Sequence, residues 1–206
     1  MKIPVFGLVM IFVAWLTYEL KKHTRMEKKA EAEFWERERK SGFIPRKSTS
    51  DINYITIDES FLPVERGESD SELNTLCNRI LDYKGKKVAD LSSMTNTELK
   101  EKYGTANFTS LSEADSNFTA IVAPLGRLTE CLYEEGRLAE AETVGLFCVN
   151  NGIYTYPVLY TLGQIYDTIC DTEKLNDLIQ AAEESGKCQE RTLSSIRSFS
   201  GSGKNL

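Results

Sequence analysis

Histidine occurs once in this chain of 206 residues, at position 23. Five cysteines, Cys77, Cys131, Cys148, Cys170 and Cys188, stand 54, 17, 22 and 18 residues apart. Imidazole relays and Cys/His zinc sites need several such groups at short spacing. A histidine-based triad and a zinc knuckle are therefore excluded beyond the first segment. An odd number of cysteines with no Cys-x-x-Cys pair suits free thiols in a reducing compartment. Gly201-Ser202-Gly203-Lys204 echoes the end of a phosphate-binding loop, but it lies in a Gly/Ser-rich stretch with no helix to open, and reads as a flexible tail over 200–206. No Gly-x-Ser-x-Gly elbow is present. Glu134-Glu135 and Glu183-Glu184 flank helix ends, where acid pairs are solvated surface rather than a hydrolytic couple. The expectation is a chain with no catalytic residue, no cofactor and no metal, working through its surface.

That surface is unevenly charged. Residues 1–42 carry nine Lys/Arg against six Asp/Glu, a net of +3, and residues 43–206 carry sixteen against twenty-five, a net of −9. An acidic globule offers no basic patch to neutralise phosphate, which excludes nucleic acid as a partner. It favours a basic or polar peptide.

The N-terminal run predicts a transmembrane anchor over 1–20. Ile3 to Tyr18 contains no charged side chain, and as a helix it spans about 24 Å, close to the ~30 Å hydrocarbon core. Lys2, Lys21 and Lys22 can snorkel outward, and Trp15 and Tyr18 fall where amphipathic rings prefer the interface. A cleavable signal peptide would place its charge before the run and small residues after it, and an in-plane helix would show a polar face. Lys21, Lys22, Arg25, Lys28 and Lys29 on the C-terminal flank put the N-terminus outside and the remainder on the cytoplasmic side of the cell membrane. The bilayer is thus an expected partner of residues 3–20. Glu19 to Lys40 lacks Gly and Pro and predicts a charged helical stalk over 21–42, ending at Gly42, with Phe34-Trp35 as an apolar pair able to dock on a partner.

Residues 43–121 read as an extended segment and packing helices. Pro45 and Pro63 bracket Ile52-Asn53-Tyr54-Ile55-Thr56-Ile57, a β-prone run with no second strand to pair with, so it is expected to lie extended over helices. A helix is expected from Ser69 to Tyr83, with Leu73, Leu76, Cys77, Ile80 and Leu81 on one face and a Ser69/Glu72 capping box. A shorter one is expected from Asn96 to Tyr103, stopped by Gly104.

Beyond Ser112 the chain repeats itself. Leu125, Leu159 and Leu193 are each 34 apart, as are Leu128, Leu162 and Ile196; Ala141 corresponds to Leu175 and Cys148 to Ala182. A period of 34 is that of the tetratricopeptide repeat, a helix–turn–helix unit. Leu162-Gly163-x-x-Tyr166 resembles that family's Leu-Gly-x-x-Tyr core, with Ala182 in the second helix and Gly163 letting the paired helices approach. In the first copy Thr129 takes the small position, Leu132 the aromatic one and Ala141 the small residue of the second helix. Leu125 and Leu159 replace the usual tryptophan, Gly145 falls where a large aromatic is expected, and Leu175 where alanine is. The resemblance covers residues 122–199 and implies two repeats plus a closing helix, Arg197 marking the cap. The layout, with stretches such as Thr95 to Gly104, is also similar to short single-span bacterial membrane proteins with a repeat-like domain, which implies no activity.

The fold expected is mainly α: a transmembrane helix and helical stalk, then α-helical hairpin repeats with a closing helix. The function implied by the repeat resemblance is that of an adaptor or scaffold at the inner face of the membrane, holding a protein or peptide in a concave surface. Its groove-facing candidates are Arg127, Glu130, Tyr133 and Glu134 from the first copy and Tyr160, Gln164 and Asp167 from the second. The alternatives are a structural subunit of a membrane complex, assembled through the anchor and stalk, or an enzyme with an unrecognised site.

Overall fold

The computed structural model describes residues 5–64 and 71–202, and among them there are eight helices and no strand. The helices are α1 (Val5–Ser41), α2 (Glu72–Leu81), α3 (Asn96–Tyr103), α4 (Thr105–Glu134), α5 (Leu138–Asn150), α6 (Tyr156–Thr168), α7 (Thr172–Ser185) and α8 (Glu190–Ser202). The chain divides into two units, one running to Thr49 with Met94–Thr109 added, the other made of Ser50–Ser93 and the chain from Ser110 onward.

The transmembrane expectation is corrected. Among the described residues no helix is long and apolar enough to cross a membrane. Helix α1 is 37 residues long, but its uncharged part ends at Tyr18, where Glu19, Lys21 and Lys22 follow. From Val5 to Tyr18 it covers only about 21 Å, well short of the ~30 Å core. The single-pass anchor, its outside-to-cytoplasm orientation and the single-pass membrane location fall with it.

In the first unit α1 is one continuous helix, charged from Glu19 onward, with Glu36 and Lys40 paired at 2.8 Å. Its last turn is held by side chains from α3. Glu38 receives Thr97 Oγ1 at 2.6 Å and the Lys100 ammonium, and Arg37 Nε donates to Glu101 at 2.6 Å. Helix α3 has the bounds expected from sequence. Its start is set by a reciprocal cap: Glu98 N–H donates to Thr95 Oγ1 while Thr95 N–H donates to Glu98. Gly104 stops it at φ 84°, where a Cβ would stand 2.2 Å from the Pro45 carbonyl oxygen, so only glycine fits. Asn107, which begins an Asn-x-Thr triplet, is buried, donating to the Lys47 and Tyr103 carbonyls at 2.7 and 2.8 Å.

The second unit is built on one apolar core, to which α2 contributes Leu73, Leu76, Cys77 and Ile80. Helix α2 is shorter than expected, and Ser71 caps it by accepting from Asn74 N–H; Ser69 lies outside the described residues. Ile55 and Ile57 are buried in a segment without regular secondary structure, and Phe61 stacks on Phe147 of α5 with ring centroids 3.6 Å apart. The C-terminal part of α4 buries Ile121, Leu125, Leu128 and Leu132, at the i, i+4, i+7, i+11 spacing of one helix face.

From α5 onward the backbone itself recurs at 34 residues. Helices α5 and α7 begin 34 apart, as do α6 and α8. The left-handed turn residues follow the same offset: Gly136 (φ 76°) with Cys170 (φ 55°), and Gly152 (φ 75°) with Gly186 (φ 63°). Leu125, Leu159 and Leu193 are all buried, and so are Leu128, Leu162 and Ile196, Ala141 and Leu175, Cys148 and Ala182. The small residues act differently from expectation. A Cβ on Gly163 would meet Phe199 and Ile196 of α8, so this glycine admits the following helix rather than its hairpin partner α7. Gly145, in place of a large aromatic, makes room for Leu162 of α6, whose Cδ2 would lie 2.7 Å from a Cβ there.

Candidate functional site

Helix α6 is buried on most of its circumference, at Val158, Leu159, Thr161, Leu162, Gly163, Ile165 and Tyr166. What remains is a narrow strip, Tyr156, Tyr160, Gln164 and Asp167, at i, i+4, i+8 and i+11. Three of these four are sequence-predicted candidates. Tyr160 is half-buried between two rings, stacked on Tyr156 at 5.1 Å and tilted against Phe199 of α8 at 5.3 Å. Gln164 is half-buried and Asp167 is exposed one turn further on. Tyr156, 48% exposed, and Phe199 complete an aromatic ladder that sequence reasoning missed. The signal for Tyr156 was present in its spacing of four from Tyr160. The signal for Phe199 was not, because it depends on α8 crossing α6.

The four candidates on α4 are differently placed. Arg127 is gripped by carboxylates: its Nε lies 2.8 Å from Glu72 Oε1 and its Nη2 3.3 Å from Glu72 Oε2, while Nη1 lies 3.5 Å from Glu130 and 3.4 Å from Glu134. The bidentate pairing joins α2 to α4. The bond to Glu72 raises the guanidinium pKa and, from the other side, holds the Glu72 carboxyl below its usual range. Glu130 is half-buried and Glu134 exposed. Tyr133 is half-buried and packs against the core. Glu72, Glu130 and Glu134 therefore form one network around Arg127, and Tyr160, Gln164 and Asp167 form a second group with Tyr156.

None of the five cysteines forms a disulfide. Burial pushes the Cys148 thiol up to about 12 and the Cys131 thiol up to about 11, so neither is a ready nucleophile. Among the described residues no group of three His, Cys, Asp or Glu side chains converges as a metal site. His23 is exposed on α1. No family model, curated protein or solved structure matches this chain.

Proposed function

We propose that the chain is a protein-interaction module that holds a peptide across the exposed strip of its hairpin array, in the manner implied by the tetratricopeptide resemblance. The observation that carries this reading is the α6 strip. A helix buried on nearly every other position leaves two stacked tyrosines, an amide and a carboxylate in one line. Tyrosines supply large contact area with few rotatable bonds, which suits them as anchors. Asp167, with Glu130 and Glu134 on α4, favours a peptide carrying Lys or Arg beside an apolar or proline residue. Arg127 contributes only if an incoming carboxylate replaces Glu72. The 34-residue recurrence of helix starts and turn residues supports the repeat reading.

The test uses peptides selected from a random displayed library against the full chain. Tyr160→Ala is expected to weaken a selected peptide by roughly 30-fold, the equivalent of a ~2 kcal/mol hot spot, with little shift in melting temperature. Leu162→Ala, which empties the core, should instead lower stability by about 2–5 kcal/mol. Peptides that bind equally well to the Tyr160→Ala and Tyr156→Ala variants would sink the strip as the site. A second reading, an assembly subunit joined through α1, is favoured by Phe34 and Trp35. They stand edge to face at 5.4 Å and are 53% and 61% exposed. It predicts loss of assembly in Trp35→Ser with peptide binding intact.

A further inference from the structure

A second concave surface lies where the strip does not reach. Leu146 and Val149 of α5 and Leu178 and Ala181 of α7 wall a groove of about 270 Å³, with Tyr166 of α6 among its lining residues. Leu146 is 38% exposed, an apolar side chain open to solvent at the α5 edge. One end is closed by polar groups that satisfy one another. Lys174 Nζ lies 2.8 Å from Glu142 and 5.6 Å from the Tyr166 ring centroid. Burial, then the charge and hydrogen bond of Glu142, raise the Tyr166 phenol above its ordinary range.

Size and charge decide what fits. From Lys174 to Ala181 the α7 wall covers eight residues, seven steps of about 1.5 Å or about 10.5 Å in all. Apolar side chains at i and i+4 of an incoming helix are about 6 Å apart, so two of them fit along this wall. The volume falls just below the ~300–1,000 Å³ of pockets that enclose small molecules. The α7 rim is acidic. Glu173, Asp177 and Glu184 recur at i, i+4 and i+11 and are all exposed, and Gln180 donates to Glu184 at 2.7 Å. Lys174, the one cation lining the groove among the described residues, is already paired with Glu142 and lies 4.0 Å from Asp171. The wall therefore presents net negative charge beside an apolar trough.

We propose that this groove receives an amphipathic α-helix of a partner protein, seating two apolar side chains at i and i+4 among Leu146, Val149, Leu178 and Ala181, with Lys or Arg side chains facing Glu173, Asp177 and Glu184. Helix-in-groove recognition reads anchors at this spacing, and facing charges of opposite sign fix the partner's direction and speed its arrival. Tyr166 lies roughly 115° around α6 from the Tyr156–Asp167 strip at 100° per residue. The groove and the strip are thus separate faces, and one chain can hold two different segments at once.

The experiment uses the full chain and a fluorescein-labelled synthetic helix with leucines at i and i+4 and lysines along one flank, followed by anisotropy at physiological salt. Leu146→Glu and Asp177→Lys, both surface positions whose melting temperatures are checked in parallel, are each expected to lower affinity by roughly tenfold or more. Tyr160→Ala is expected to leave it unchanged, which separates this groove from the strip. A probe with its lysines replaced by glutamates should bind far more weakly. Equal binding of that probe, or affinity indifferent to both groove variants, overturns the proposal. Concentration-dependent self-association abolished by Leu146→Glu also overturns it, since the occupant would then be a second copy of the chain.

Discussion

Replacing Gly145 by alanine sets two effects of similar size against each other. In the middle of a helix the substitution normally stabilises by about 1 kcal/mol, because alanine has less backbone freedom to lose. Here the new methyl would stand 2.7 Å from Leu162 Cδ2, 2.8 Å from Cγ and 3.1 Å from Cδ1. Leu162 is fully buried, so it has no open space to move into. Overpacking of this kind costs about 1–3 kcal/mol, and the net expectation is a loss of about 1 kcal/mol, or roughly 2–4 °C in melting temperature for a chain of this size. A double-mutant cycle isolates the clash. Leu162→Ala alone should cost about 2–5 kcal/mol. In that background the obstructing atoms are gone, and Gly145→Ala should recover its gain of about 1 kcal/mol, giving a coupling of roughly 1–3 kcal/mol. Thermal and urea unfolding followed by circular dichroism provide the measurement. A rise in melting temperature for Gly145→Ala in the unmodified chain would refute the reasoning, since propensity alone would then govern and α5 would not approach α6 this closely.

Two further perturbations follow from backbone and charge. Cys170 holds φ 55° at the position equivalent to Gly136; Cys170→Gly should relieve about 1–2 kcal/mol of left-handed strain against about 0.5–1 kcal/mol of added unfolded-state freedom, so its urea midpoint should rise slightly while Cys170→Val lowers it. Asp90 is opposed by burial, which pushes its carboxyl up, but the bonds from Lys187, at 2.5 Å, and from Ser92 outweigh it and hold the group below its usual range. A depressed folded value means that the contribution is complete above the unfolded value, near pH ~3.9, and is lost as pH falls through the lower folded one. Asp90→Asn should therefore flatten the acid side of a stability–pH curve below about pH 4, and an unchanged curve would remove Asp90 from the account.

The helical part of this molecule was legible where local chemistry decides. The run from Asn96 to Tyr103 carries its own start and stop signals, and α3 has those bounds. The 34-residue offsets among leucines and small residues lie in the letters themselves, and every position they pair is buried. What sequence could not carry was adjacency. The repeat pattern assigns Gly163 to its own hairpin, but a Cβ there would meet Phe199 and Ile196 of α8. Leu146 of α5 and Leu178 of α7 line one groove, an adjacency that no local pattern carries. Of the candidate site, spacing along α6 placed Tyr160, Gln164 and Asp167 on one strip, while the grip of Glu72 on Arg127 depends on a helix 55 residues upstream. At the N-terminus the apolar run is too short: Glu19 and Lys21 follow before the helix has covered a bilayer core.

The position of α8 at the end of the array has a consequence for motion. This helix packs on α6 and α7 alone among the major helix contacts of its unit, and in a nearest-neighbour array local opening starts at the ends and moves inward. Amide hydrogens of α8 should exchange first, those of α7 next and those of α6 last. Each opening of α8 withdraws Arg197, which bridges Glu183 of α7 at 2.7 Å and Glu190 at 2.9 Å, and so loosens the helix that forms the acidic wall of the groove. A partner seated between α5 and α7 would slow exchange in α8 without touching it, and its residence time would depend on the fraying of a helix outside its own footprint.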